Sequence, residues 1–130
     1  MVNQITTDKA PPPFSNYSQA TSIPADASFV FVSGQVGVDT DGVLAQGEEA
    51  QHEQCWRNIL AILEASGLGP NDILDVTGYV TGPSGLPLFR QARDKMLGGA
   101  KAASTLLIIS GLANPDWLVE ISVVAAGKTS

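Results

Sequence analysis

Hydrophobic positions change period several times along this chain. Residues 119–126 read V-E-I-S-V-V-A-A. As a strand, this stretch puts Val119, Ile121, Val123 and Ala125 on one face and Leu118, Glu120, Ser122 and Val124 on the other. Residues 101–110, K-A-A-S-T-L-L-I-I-S, predict a second strand with Lys101, Ala103, Thr105 and Leu107 on one face. G-L-A-N-P-D between the two has turn chemistry. Strands are also predicted at 29–36 and 73–80, with shorter ones at 2–8 and ending near residue 23. From about 48 to 66 the period becomes helical: Cys55, Trp56, Ile59, Leu60 and Leu63 form one stripe, with Glu48 and Glu49 at the positive end of the helix dipole. Gly67 and Gly69-Pro70 stop that helix. A second helix is predicted over 86–97, with Phe89, Ala92 and Met96 facing inward and Arg90, Arg93, Asp94 and Lys95 mostly elsewhere.

This order predicts an α+β fold of two layers, with five or six strands in one mixed sheet and two helices on one of its faces. The opposite face carries Glu120 and has nothing left in the chain to cover it, so partner copies are expected there. A carboxylate among apolar neighbours is costly unless it gains hydrogen bonds, water or a ligand. Ser33-Gly34 interrupts the strand at 29–36, and a glycine there marks a bulge or a close approach of another group to the backbone.

The length of 130 residues predicts a single domain over 1–130. Only 15% of the residues are charged against 44% hydrophobic, as expected of a subunit whose apolar surface is shared with other copies. The net charge of −6 argues against a nucleic-acid partner. The lone Cys55 excludes an internal disulfide and reads as a buried structural thiol. His52, the only histidine, is expected to be exposed, and with no cluster of Cys or His around it no metal site is expected. No charged-then-apolar leader opens the sequence and no apolar run approaches ~18 residues, so a cytoplasmic protein that does not enter a membrane is expected.

In its motifs the sequence resembles the RidA/YjgF family of imine and enamine deaminases. The matching pieces are A-P-P-P-F-S-N-Y-S-Q-A at 10–20, F-V-S-G-Q-V at 31–36, D-T-D-G, Gln54 to Asn58 ahead of N-I-L-A-I-L-E-A-S-G-L, D-I-L-D-V-T-G-Y-V at 72–80, A-S-T-L at 103–106 and V-E-I at 119–121. The resemblance implies a chorismate-mutase-like subunit assembled as a homotrimer, with helices outside and a small-molecule cleft at each subunit interface. It also implies hydrolysis of 2-imino or 2-enamino acids to keto acids and ammonia without metal or cofactor. Carried over by position, Tyr17 lies beside the ligand, Ser33 and Gly34 offer hydrogen bonds, and Glu120 holds or activates the attacking water.

One departure stands out. The deaminases carry an arginine in P-A-R-S where this chain has K-A-A-S, so Ala103 replaces the group that grips the substrate carboxylate through a two-pronged ion pair. Arg90 and Arg93 on the second helix, or Lys101, are candidates to supply the missing charge. The leading expectation is a deaminase-like hydrolase with altered specificity. The alternatives are a non-catalytic trimer that binds a small carboxylate and, against the charge, a ribonuclease or translation inhibitor.

Overall fold

The computed structural model describes residues 2–128. Its elements are strands β1 (Asn3–Ile5), β2 (Ala20–Ser22) and β3 (Ser28–Val36), helix α1 (Glu48–Ala65), strand β4 (Ile73–Val80), helix α2 (Gly85–Leu97), and strands β5 (Ala103–Ile108) and β6 (Val119–Gly127). The predicted helices and long strands are present within a few residues. The strand at 101–110 begins only at Ala103, which leaves Lys101 outside it.

The six strands do not form one sheet. Four make a sheet in the order β3-β6-β4-β5, and β1 pairs with β2 apart from it. β6 runs antiparallel to both β3 and β4, while β4 and β5 are parallel, so the main sheet is mixed. The helix α2 makes the crossover from β4 to β5, as a parallel pair requires. The polar stretch after β1 is folded on itself by Gln19, whose side-chain amide donates to the carbonyls of Thr7 and Pro11 while its oxygen accepts from the Thr7 amide. That brace holds the ends of β1 and β2 together, and Thr21 of β2 donates to the Leu74 carbonyl of β4 at 2.8 Å.

Both helices pack on one face of the four-stranded sheet. The core between the layers holds Trp56, Ile59, Leu63, Val76, Val80, Phe89, Val119, Ile121 and Ala125, all fully buried. Glycine permits the close packing. A Cβ on Gly78 would lie 2.3 Å from Phe89 Cε2, and one on Gly37 would lie 2.6 Å from the Cα of Gln51 in α1. The other face is open, with Phe29 and Phe31 56% and 76% exposed and their rings 6.0 Å apart.

Two polar residues expected at the surface lie in the core. His52 is fully buried, with its ring 6.2 Å from that of Phe89. It continues the inward stripe of Cys55, Trp56 and Ile59 one turn earlier, so the helix period carries it inside. Arg93 is only 4% exposed, its guanidinium lying 5.8 Å from the centre of the Phe89 ring. It follows Ala92 and lies four residues beyond Phe89, which places it on the inward stripe as well.

Candidate functional site

Glu120 lies on β6 between Val119 and Ile121, both buried against the helices, so alternation turns its side chain to the open face. Thr77 and Tyr79 on β4 and Thr105 and Leu107 on β5 share that face by register. Across from Glu120, β3 shifts register between Val32 and Gln35, a bulge at Ser33-Gly34. The bulge brings backbone against the acid: a Cβ on Gly34 would sit 2.3 Å from Glu120 Oε2. A side chain at position 34 would displace the carboxylate. Ser33 is exposed beside it, and its carbonyl accepts from Gln35 Nε2 at 3.2 Å.

Glu120 is half-buried. Among the described residues the ion pairs are Arg57–Glu53, Arg93–Asp94 and Lys95–Glu53, and none involves Glu120. Its carboxylate is thus not spent on a structural contact of that kind. Cys55 lies behind this part of the sheet and donates to the carbonyl of Gln35 at 3.3 Å. Burial first, and the charge of Glu120 second, push its thiol up to about 12. The protonated thiol is a packed donor and has no nucleophilic role.

The second group of candidate residues lies elsewhere. Tyr17, Arg90 and Arg93 line a cavity of about 180 Å³ together with Phe14, Ser15, Ser104 and Leu106. The segment carrying Tyr17 is seated at the start of β5 by a hydrogen bond from the Ser18 amide to the carbonyl of Ala102 at 2.9 Å. It is tied to α2 by Arg93, which donates to Ser15 Oγ at 3.2 Å and to Asp94 Oδ1 at 3.1 Å, and by Asn16, which donates to Asp94 Oδ2 at 3.0 Å. Tyr17 Oη accepts from the Phe14 amide at 3.1 Å, which leaves its own hydrogen available to another acceptor. Arg90 is exposed and in no ion pair among the described residues.

The two groups are on opposite sides of the sheet. Leu106 packs toward the core and pairs in register with Gly78, which lies against Phe89 of α2, so Ser104 and Leu106 face the helices. Ala103 alternates with Ser104 and shares the Glu120 face. The groups also lie toward opposite edges, Ser33 and Gly34 on β3 and the Tyr17 cavity beside β5. Within one chain, therefore, Glu120, Ser33 and Gly34 form one cluster and Tyr17, Arg90 and Arg93 another. Lys101 joins neither, lining a separate cavity with Asn71 and Ile73.

Sequence reasoning missed Ser15, Ser104 and the clamp residue Asp94. Ser104 was within reach, since it alternates with Ala103. The Asn16–Asp94 and Arg93–Ser15 bonds span 78 residues each, and no local spacing announces them. Among the described residues no group of three His, Cys, Asp or Glu side chains is arranged to hold a metal ion, and no helix is long and apolar enough to cross a membrane.

The family model described as endoribonuclease L-PSP matches residues 7–127. A RutC family protein from Pyrococcus abyssi is 32% identical over 123 residues, which cover 93% of this chain and 94% of that protein. A 2-iminobutanoate/2-iminopropanoate deaminase from Salmonella typhimurium is 37% identical over 81 residues, 62% of this chain and 61% of that one. In three dimensions the chain superposes on a Rid-family protein of unknown function, YyfB from Yersinia pestis, with a TM-score of 0.85 at 27% identity, covering 95% of this chain and 97% of the other.

Proposed function

The chain belongs to the RidA/YjgF family, and from that premise we propose that it hydrolyses a small imine or enamine to a carbonyl compound and ammonia. The reaction takes place in a cleft between copies of a homotrimer. One copy contributes Glu120, Ser33 and Gly34, and its neighbour contributes the Tyr17 cavity with Arg90 and Arg93.

The observation that carries this reading is the division of the candidate residues. Two sets of polar groups suited to one ligand lie on opposite faces of one sheet. A single small molecule reaches both only where two copies meet. The open face bearing Glu120 also exposes Phe29 and Phe31, apolar surface of the kind that associating chains cover. The deaminase name carried by the Salmonella relative supports the chemistry.

In the proposed reaction Glu120 takes a proton from water as the oxygen attacks the C=N carbon. The same carboxyl returns that proton to the nitrogen of the tetrahedral adduct, and its carboxylate then accepts the adduct's hydroxyl proton as the C–N bond breaks, so that the carbonyl forms and ammonia leaves. Ser33 and the Gly34 amide hold the water and the substrate beside the acid. Ala103 puts only a methyl group where the resemblance expects a guanidinium, so the substrate differs from that of the 2-iminopropanoate enzymes or is gripped from another position.

The test is ammonia release from a series of short-chain 2-imino acids generated in place by oxidation of the corresponding amino acids. The wild type is expected to accelerate it, and Glu120→Ala to lower the rate by about 10²-fold or more. Ala103→Arg is expected to raise turnover of 2-iminopropanoate. A second reading, a trimer that binds a small carboxylate without catalysis, is favoured by Ala103, and it predicts ligand-induced thermal stabilisation with no turnover. A ribonuclease reading follows the words of the family model, but a net charge of −6 repels a polyanion.

A further inference from the structure

The two arginines on α2 have different work. Arg93 is buried, lies over the Phe89 ring at 5.8 Å from its centre, and is hydrogen-bonded to Ser15 and Asp94. Its charge is balanced by Asp94, which lies against it. Arg90, one turn earlier, is exposed at the mouth of the same cavity with no carboxylate partner among the described residues. Beside it are hydroxyl groups with hydrogens to give. Tyr17 Oη already accepts from the Phe14 amide, and Ser15 Oγ already accepts from Arg93, so each is left to donate into the cavity. Ser104 adds another hydroxyl, and Leu106 and Phe14 supply an apolar wall. One uncompensated guanidinium with several O–H donors is a receptor for a single negative charge. A volume of about 180 Å³ admits a short chain and excludes a large ligand.

We infer that Arg90 is the residue that selects the ligand, and that it selects a carboxylate on a short carbon chain. Arg93 is a positioning residue that holds the Tyr17 segment in place. The assignment rests on the cleft described under the proposed function and names the residue that holds the acid group of its substrate. The acid is gripped from the helix side of β5, because position 103 offers no cation on the other side.

The test measures binding of 2-oxobutanoate and of its neutral amide by calorimetry. The trimeric wild type, Arg90→Gln, Arg90→Lys, Glu120→Gln and two Arg93 variants are compared. The wild type is expected to prefer the acid. Arg90→Gln should weaken the acid by about 10- to 100-fold and leave the amide unchanged, the loss that follows removal of a charged, two-pronged hydrogen bond. Arg90→Lys should keep part of the preference, and Glu120→Gln should keep nearly all of it. Arg93→Gln should weaken acid and amide alike, by loosening the segment, with Arg93→Lys restoring both. Equal affinity of folded Arg90→Gln and wild type for the acid overturns the inference. So does equal affinity of the wild type for acid and amide, or tighter Arg90-dependent binding of inorganic phosphate. Arg90-dependent acid binding without ammonia release overturns the hydrolase reading and leaves this inference standing. Turnover without preference for the acid does the reverse.

Discussion

At the scale of single residues the account turns on Gly34 and Glu120. The carboxylate occupies the space a side chain at position 34 would need. Gly34→Ala therefore forces the acid away from its place beside β3 while leaving the core untouched. The expected outcome is a loss of turnover of at least about tenfold with a far-ultraviolet circular dichroism spectrum like that of the wild type. His52 makes a different prediction. Burial holds its pKa down at about 4, against 6.5 when unfolded, and neither ring nitrogen has a partner among the described residues. The unfolded chain takes up the proton first as pH falls, so stability is full above about pH 6.5 and declines toward pH 4. The difference amounts to as much as about 3 kcal/mol. Denaturant titrations from pH 7 to pH 4 should show this loss in the wild type and a smaller one in His52→Leu, which keeps the volume and removes the ionisable group. The outward turn of Glu120 on β6 and the break at Ser33-Gly34 were legible because strand alternation and glycine are local signals, whereas Tyr17 was named only through the family resemblance. Sequence reasoning misjudged His52 and Arg93, where polarity pointed outward and the helix period pointed inward. Burial followed the period, and for Arg93 two hydrogen bonds and an aromatic face offset the cost of leaving water.

At the scale of elements, the helices reach the sheet because glycines clear the way. Phe89 of α2 rests over Gly78 of β4, and Gln51 of α1 rests over Gly37 after β3. Gly78→Ala meets a ring that has a buried His52 and Trp56 beside it and little room to turn. It should cost about 1–3 kcal/mol in chemical denaturation. Gly37→Ala meets helix backbone and should cost at least as much. The long elements were legible from the sequence because their periods run for eight or more residues. The partition of strands between two sheets was not. The prolines at 11–13 and the Gln19 brace pair β1 with β2 through contacts eight to twelve residues apart, which no hydrophobic period encodes. The start of β5 was placed two residues early, since nothing in K-A-A-S marks where pairing with β4 begins.

At the scale of the whole molecule, the open sheet face and the separation of the two residue groups both support the proposed association of copies. Phe31, 76% exposed in the single chain, is a sensitive place to interfere with association. On the proposed assembly of three 13.5 kDa chains, Phe31→Arg should give smaller species than the wild type by light scattering and reduce turnover in parallel. The most direct test of the central claim, that each cleft is made by two neighbouring copies, mixes two impaired variants. Glu120→Ala chains keep the Tyr17–Arg90 half, and Arg90→Gln chains keep the Glu120 half. Unfolded together and reassembled in equal amounts, then assayed for ammonia release at low substrate concentration, they should recover roughly a quarter of wild-type activity, because every mixed ring of three contains one cleft with both halves intact. Activity no greater than that of the two variants assembled separately would contradict the account.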